Sequence, residues 1–319
     1  MGEFDLIRRI FQPLADATAS PLLPLGLGDD CAVQIVRPGT ELAFSIDTLV
    51  EGVHFPVNYN PAFLGWRSLA VATSDLAAMG ADPVCFTLAL TLPDAEPDWL
   101  RGFADGLREA ALAFGLALAG GDTTRGPLTI SIQVHGTVPA GQALTRAGAR
   151  VGDLVCVSGT LGDAAAALSW LDNDSESADV QWLLSRYHRP QPRLALGQAL
   201  RGRATAAIDL SDGLSADLQH ILTAAGVGAR IDLRKLPLSD ALKQNARDRA
   251  VDLALSGGDD YELCFTLPPS DWPEINRAGV ADRLTVIGEV LSSPGLWCTG
   301  ELGDRQLTAG GYDHFGGEA

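Results

Sequence analysis

The sequence predicts an α/β protein of two domains, on three observations. The chain has 319 residues, about twice the length of a typical domain. Strand-like alternation and helix-like amphipathicity are mixed along it rather than segregated. A Gly-rich polar stretch, Ala147 to Asp153, interrupts the pattern near the middle, as a domain boundary does. There is no fixed-period repeat of the solenoid kind.

In chain order, Glu41 to Thr48 predicts a short strand. Asn60-Pro61 supplies an N-cap and a first-turn proline, opening a helix through Met79 that stops at Gly80. Cys85 to Leu92 mixes threonine with apolar residues and predicts a strand. Pro97 to Phe114 is amphipathic and closed by Gly115, so it predicts a helix. Leu128 to Val138 alternates at period two, as a half-buried strand does. Beyond the boundary come a strand from Leu154 to Val157, an Ala-rich helix from Asp163 to Leu171, a solvated loop from Asn173 to Asp179 and a basic, Pro-broken stretch from Arg186 to Arg193. The series ends with strands at Ala206 to Leu210, Ala229 to Leu233, Glu262 to Leu267 and Leu284 to Val290, and a helix at Leu214 to Ala225.

Composition narrows the function. A hydrophobic share of 46% with Gly 35 and Pro 18 supports a packed core and excludes disorder or collagen-like structure. With 23 Lys+Arg against 40 Asp+Glu the net charge is −17. That argues against nucleic acid as a partner, because phosphate backbones are held by a surplus of cations. An acidic protein still holds a phosphorylated ligand when metal ions bridge the two sets of negative charge. The longest apolar candidate, Ala110 to Ala119, is too short to span a bilayer, so no membrane is expected. The N-terminus carries acids early, unlike a secretory leader, and has Leu6 where a myristoylation signal wants Ser or Thr. The five scattered cysteines form no C-x-x-C pair and predict reduced, mostly buried thiols in a cytoplasmic protein.

The informative residues are aspartates. Seven clusters set Asp beside Gly or a hydroxyl at element ends, among them Gly28-Asp29-Asp30, Ser45-Ile46-Asp47-Thr48, Gly120-Gly121-Asp122, Asp209-Leu210-Ser211-Asp212-Gly213 and Gly257-Gly258-Asp259-Asp260. A turn or cap explains most such dipeptides. It does not explain Asp47 and Asp209, which follow apolar strands directly, or Asp75, late in an apolar helix. Carboxylates there are unfavourable unless paired, hydrogen-bonded or bound to metal. Hard oxygen donors without a Cys/His cluster select Mg²⁺ over Zn²⁺, and Mg²⁺ on carboxylates commonly carries phosphate oxygens, so a nucleotide triphosphate is the expected guest. The P-loop and protein-kinase motifs are absent from the sequence. Gly120-Gly121-Asp122 instead offers backbone to a phosphate, with Arg146 as a cationic clamp.

These motifs resemble the thiamine-monophosphate kinase family, in the superfamily that includes aminoimidazole ribonucleotide synthetase and selenophosphate synthetase. The resemblance runs nearly end to end: Gly2-Glu3-Phe4, Gly26 to Ala32 (GLGDDCA), Asp47 to Val50 with His54-Phe55, Leu76 to Ala81, Gly120 to Pro127 (GGDTTRGP), Asp209 to Leu218 (DLSDGLSADL), Ser256 to Leu263 (SGGDDYEL) and Gly311 to Phe315 (GYDHF). Any one arises by chance; their order and spacing together are specific. Ile46 departs from relatives that carry Thr there, which leaves only its carbonyl as a ligand.

The resemblance implies transfer of the ATP γ-phosphoryl group to thiamine monophosphate, giving thiamine diphosphate and ADP, by direct in-line displacement without a catalytic side chain. It implies several Mg²⁺ ions on Asp30, Ser45, Asp47, Asp75, Asp122, Asp209 and Asp212. ATP contacts fall on Gly121, Asp122, Arg146 and Ser211, and substrate contacts on His54, Asp259 and Tyr312. The implied architecture is a two-domain aminoimidazole ribonucleotide synthetase-like fold. Residues 1–146 would carry dimerisation and the Mg-ATP site, and residues 147–319 would complete the nucleotide and substrate site. The N-terminal sheets of two chains would pair into a barrel-like core, making a homodimer. The competing readings are another ATP-dependent enzyme of the superfamily, a non-catalytic Mg-nucleotide sensor and an acidic structural protein. The GYDHF and GGDTTRGP motifs disfavour the first, and the intact set of aspartates disfavours the second. The third leaves the carboxylates at the ends of apolar strands unexplained.

Overall fold

The structure, a computed structural model, describes residues 3–172, 175–277, 283–300, 303–307 and 310. The chain divides into two compact units, Met1–Leu76 with Ala81–Gln142, and Ala77–Gly80 with Ala143–Ala319. Each is built on its own sheet.

The first unit begins with α1 (Glu3–Leu6), a π-helical turn (Ile7–Phe11) and α2 (Gln12–Ala17). There follow β1 (Thr40–Val50), α3 (Pro61–Ala78), β2 (Asp82–Leu92), α4 (Pro97–Phe114), β3 (Ala117–Arg125) and β4 (Thr129–Pro139). The four strands form an open sheet in the order β1-β4-β2-β3, so β1 and β3 are its edges. Local chemistry sets the helix ends as the sequence predicts. Asn60 Oδ1 accepts from Ala62 N (2.9 Å) and Phe63 N (3.3 Å) to cap α3, and Gly80 and Gly115 take left-handed φ values of 66° and 72° just past α3 and α4.

Period-two alternation sorts the sheet into two faces. Leu49, Asp47 and Ser45 of β1 pair with Ile130, Ile132 and Val134 of β4 on the buried face. The opposite face of β1 presents Leu42, Phe44 and Ile46, which are 42%, 63% and 62% exposed. Helices α3 and α4 cross at backbone contact. A Cβ on Gly106 would lie 1.9 Å from the Ala62 carbonyl oxygen, and one on Gly65 2.1 Å from that of Phe103.

The second unit contains β5 (Leu154–Ser158), α5 (Asp163–Ala167), α6 (Ala178–His188), α7 (Leu194–Leu200), β6 (Ala206–Asp209), α8 (Leu214–Ala225) and β7 (Gly228–Asp232). It continues with α9 (Asp240–Ala246), α10 (Ala250–Ser256), β8 (Leu263–Leu267), α11 (Trp272–Arg277), β9 (Leu284–Leu291), β10 (Gly295–Gly300) and β11 (Gly303–Leu307). Seven strands run in the order β11-β10-β7-β9-β5-β8-β6. All neighbours are antiparallel except β10 and β7. A core of Val155, Val157, Ile208, Leu218, Ile221 and Ile287 fills one side of this sheet.

Three predicted elements differ. The helix expected over Asp163 to Leu171 ends at Ala167 and gives way to a 3₁₀ turn, Leu168–Trp170. The loop expected through Asp179 is shortened, because α6 begins at Ala178. The basic stretch Arg186 to Arg193 is divided between the end of α6 and the entry to α7, with Pro190 and Pro192 between them. Among the described residues no helix is long and apolar enough to cross a membrane.

Candidate active site

In the first unit, strand alternation places Ser45 and Asp47 on the same buried face of β1. Ser45 Oγ donates to an Asp75 carboxylate oxygen, which joins β1 to the last turns of α3. Burial, with the nearby Asp75 charge adding to it, pushes the Asp47 carboxyl up to about 6. Two close carboxylates on a half-buried face are a site for a positive charge. Their donors are all hard oxygens, which fits Mg²⁺ and disfavours Zn²⁺. No third Asp, Glu, His or Cys joins them to form a metal-holding group among the described residues.

The other candidates of this unit stand on separate segments. Asp122 is exposed in the edge strand β3, opposite Ala89 of β2. The sequence places Gly120-Gly121-Asp122 at an element end, whereas the structure runs β3 through all three. The glycine is required by strand packing: a Cβ on Gly121 would lie 1.9 Å from the Leu88 carbonyl oxygen. Gly120, Gly121 and Asp122 also line a small cavity with Phe11, Leu27 and Leu118. Asp30 is exposed in a turn, where its N–H donates to Asp29 Oδ1 at 2.9 Å, so Asp29 acts on the local backbone. His54 Nδ1 accepts from Val50 N at 2.9 Å, which leaves the ring proton of the neutral imidazole on Nε2.

In the second unit two loops are tied together by backbone. Asp259 N donates to Ser211 O (2.9 Å), Tyr261 N to Leu210 O (2.8 Å) and Leu210 N to Glu262 O (2.8 Å). This brings Asp209, Ser211, Asp212 and Asp259 onto adjoining turns at the ends of β6 and β8. Asp209 is buried. Asp217, in the first turns of α8, accepts from both Asp212 N and Gly213 N at 3.1 Å and so shapes the Ser211–Gly213 turn. Burial raises the Asp217 carboxyl to about 7, against the lowering effect of those N–H groups. Arg146 is exposed, and Ala207 N donates to the preceding carbonyl, Thr145 O (3.0 Å), so this segment runs beside the edge strand β6. Tyr312 lies outside the described residues.

The sequence gives no account of the buried charge network behind this loop. Glu262 accepts from Ser158 Oγ (2.5 Å), Arg186 Nη2 (2.6 Å), Arg193 Nε (2.7 Å) and Arg193 Nη2 (2.5 Å). Both oxygens of Asp260 accept from Gly162 N (3.0 and 2.8 Å), and Asp163 accepts from Thr160, Trp182 and Ser239. Burial alone would raise Glu262, but the two guanidiniums outweigh it and hold the carboxyl below the ordinary glutamate value. Burial pushes Asp260 well up, and the Gly162 N–H and the Arg186 charge only partly oppose it. Arg-x₆-Arg spacing separated by two prolines was the available signal, though nothing in it names Glu262 as the partner.

Two family models cover most of the chain. The N-terminal domain of AIR synthase related protein matches residues 28–138, and its C-terminal domain matches residues 150–298. Fold and site thus define an enzyme of the AIR synthase related class. Thiamine-monophosphate kinase of Escherichia coli (strain K12) is 47% identical, over 98% of this chain and 98% of that protein. The crystal structure of thiamine-monophosphate kinase from Stenotrophomonas maltophilia K279a is 45% identical with a TM-score of 0.87, covering 94% of this chain and 98% of that one. A ThiL structure complexed with AMPPCP and TMP is 33% identical with a TM-score of 0.80, covering 98% and 97%. The chain belongs to the thiamine-monophosphate kinase family, and it is a phosphotransferase.

Proposed function

We propose that the protein transfers the γ-phosphoryl group of ATP to thiamine monophosphate, giving thiamine diphosphate and ADP, the last step of thiamine diphosphate synthesis. The observation that carries this reading is end-to-end kinship at 47% identity with an enzyme named for that activity. The relative solved with a nucleotide analogue and TMP supports the same pair of ligands.

The proposed Mg²⁺ ligands are Asp30, Ser45, Asp47, Asp75, Asp122, Asp209 and Asp212. Magnesium bound there would neutralise the charge of two phosphorylated reactants that must meet. Gly121, Asp122, Arg146 and Ser211 orient the triphosphate. His54, Asp259 and Tyr312 take the acceptor, whose cationic thiazolium suits a carboxylate and an aromatic face. The acceptor phosphate has a second pKa of about 6, so its oxygen attacks without a protein base. The transfer is direct and in line, and a phosphorylated side chain trapped during turnover would refute it.

In this reading residues 1–146 hold the metal-nucleotide site and the dimer surface, and residues 147–319 complete the nucleotide and substrate site; the compact units themselves divide at Gln142/Ala143, with Ala77–Gly80 in the second. The exposed stripe of Leu42, Phe44 and Ile46 on β1 supports pairing of two N-terminal sheets into a barrel-like homodimer core. Sedimentation at micromolar concentration is expected to give a dimer; a persistent monomer rejects it. Four free cysteines are buried and Cys31 is exposed, which accords with a reducing, cytoplasmic setting.

Phosphorus NMR with ATP, MgCl₂ and thiamine monophosphate tests the reaction. A new diphosphate signal together with ADP is expected. If both reactants persist, the thiamine assignment falls, and the same tube screened against other phosphorylated acceptors separates a sister activity from a nucleotide sensor.

A further inference from the structure

Four non-glycine residues among those described have positive φ, and two of them, Asp259 (72°) and Tyr261 (49°), sit two apart in one loop. Asp tolerates the left-handed region; for a bulky Tyr it is an outlier that persists only where the surroundings impose it. The surroundings here do impose it. On one side Asp260 is held by Gly162 N, and on the other Glu262 is clamped by Ser158, Arg186 and Arg193. The Tyr261 and Asp259 N–H groups are fixed to Leu210 and Ser211 carbonyls. A glycine or asparagine would satisfy that backbone without strain, so the side chain is what the position requires. The Tyr261 ring is buried, and its hydroxyl donates to Asp259 Oδ1 at 3.1 Å.

We infer that Tyr261 is a positioning residue: its hydroxyl fixes the Asp259 carboxylate in the orientation that receives the cationic acceptor. Asp260 and Glu262 anchor the loop on either side of Tyr261, and the Tyr261 hydroxyl holds the Asp259 carboxylate. This rests on the reading of Asp259 as a substrate contact.

The test is steady-state kinetics on Tyr261→Phe, Asp259→Ala and the double variant, with the KM of each substrate measured separately. Tyr261→Phe is expected to raise the KM for thiamine monophosphate on the order of tenfold, the scale of a hydrogen bond to a charged group. The KM for ATP and the thermal midpoint should stay as in the parent. Asp259→Ala should raise the same KM at least as much, and adding Tyr261→Phe to it should change nothing further. A Tyr261→Phe variant that keeps the parental KM while Asp259→Ala loses it overturns the inference and leaves the site reading intact. Equal losses for both substrates, or a variant that fails to fold, place the hydroxyl in the fold instead and overturn it too. An unchanged KM in Asp259→Ala removes the site reading itself.

Discussion

Asp47→Asn is expected to stabilise the metal-free protein at pH 8 while removing its activity. The Asp47 carboxyl ionises at about 6 in the folded state, raised first by burial and then by Asp75, against 3.8 for the free group. The folded state therefore binds more protons between those values, and this group's contribution makes stability fall as pH rises from about 4 to about 6. A shift of this size corresponds to roughly 3 kcal/mol, of which screening at a half-buried site leaves about 1–2. The amide removes that penalty, raising the midpoint by ~2–6 °C at pH 8 and by almost nothing near pH 4. Phosphoryl transfer should drop on the order of 10²-fold or more, the scale of losing one electrostatic stabiliser. Calorimetry at the two pH values, beside the phosphorus assay, checks both halves. A variant less stable than the parent at pH 8 would show that Asp47 is not under repulsive load.

The largest stability effect is expected at Glu262. Replacing it with Ala leaves Arg186 and Arg193, whose side chains are only 10% and 16% exposed, without the carboxylate that joins them. Removing one partner of a buried ion pair typically loses about 3–5 kcal/mol, so the midpoint should fall by on the order of 10 °C. The Arg203–Glu274 pair is a control. Its N–O distance is 2.5 Å, but Glu274 is 62% exposed, so Glu274→Ala should change stability by about 1 kcal/mol or less. Because Glu262 is held below its ordinary value, the stability it supplies is present above the unfolded glutamate pKa and is lost as pH falls through the folded one. Equal calorimetric losses in the two variants would sink the argument.

What was legible in the sequence follows from how local its cause is. Helix α8 is framed by Gly213 and Gly226, and α4 by Pro97 and Gly115; stop signals of this kind act within a turn and are read directly. Strand β3 was not, because its Gly120-Gly121 pair looks like a turn until Leu88 of β2 is known to lie against it. Helix α6 carried a usable signal, Val180, Leu183, Leu184 and Tyr187 at helical spacing, obscured by the polar residues before it and the prolines after it. Asp47 and Asp75 stand out in the sequence against their apolar neighbours. Their approach through Ser45 joins residues thirty positions apart, and the Glu262 network spans about a hundred. Such pairings are set by the sheet, and no short window contains them.

The crossing of α3 and α4 has a further consequence for the carboxylate at the end of α3. With no room for a methyl group at Gly65 or Gly106, neither helix can slide or roll past the other without lifting away, so α3 is held as a fixed ruler along its length. The aim of Asp75 at Ser45 is therefore calibrated about ten residues away, by two positions that bear no side chain. The common route to a stiffer helix, alanine for glycine, is closed at both, so the placement of Asp75 rests on two positions that have no room for a methyl group.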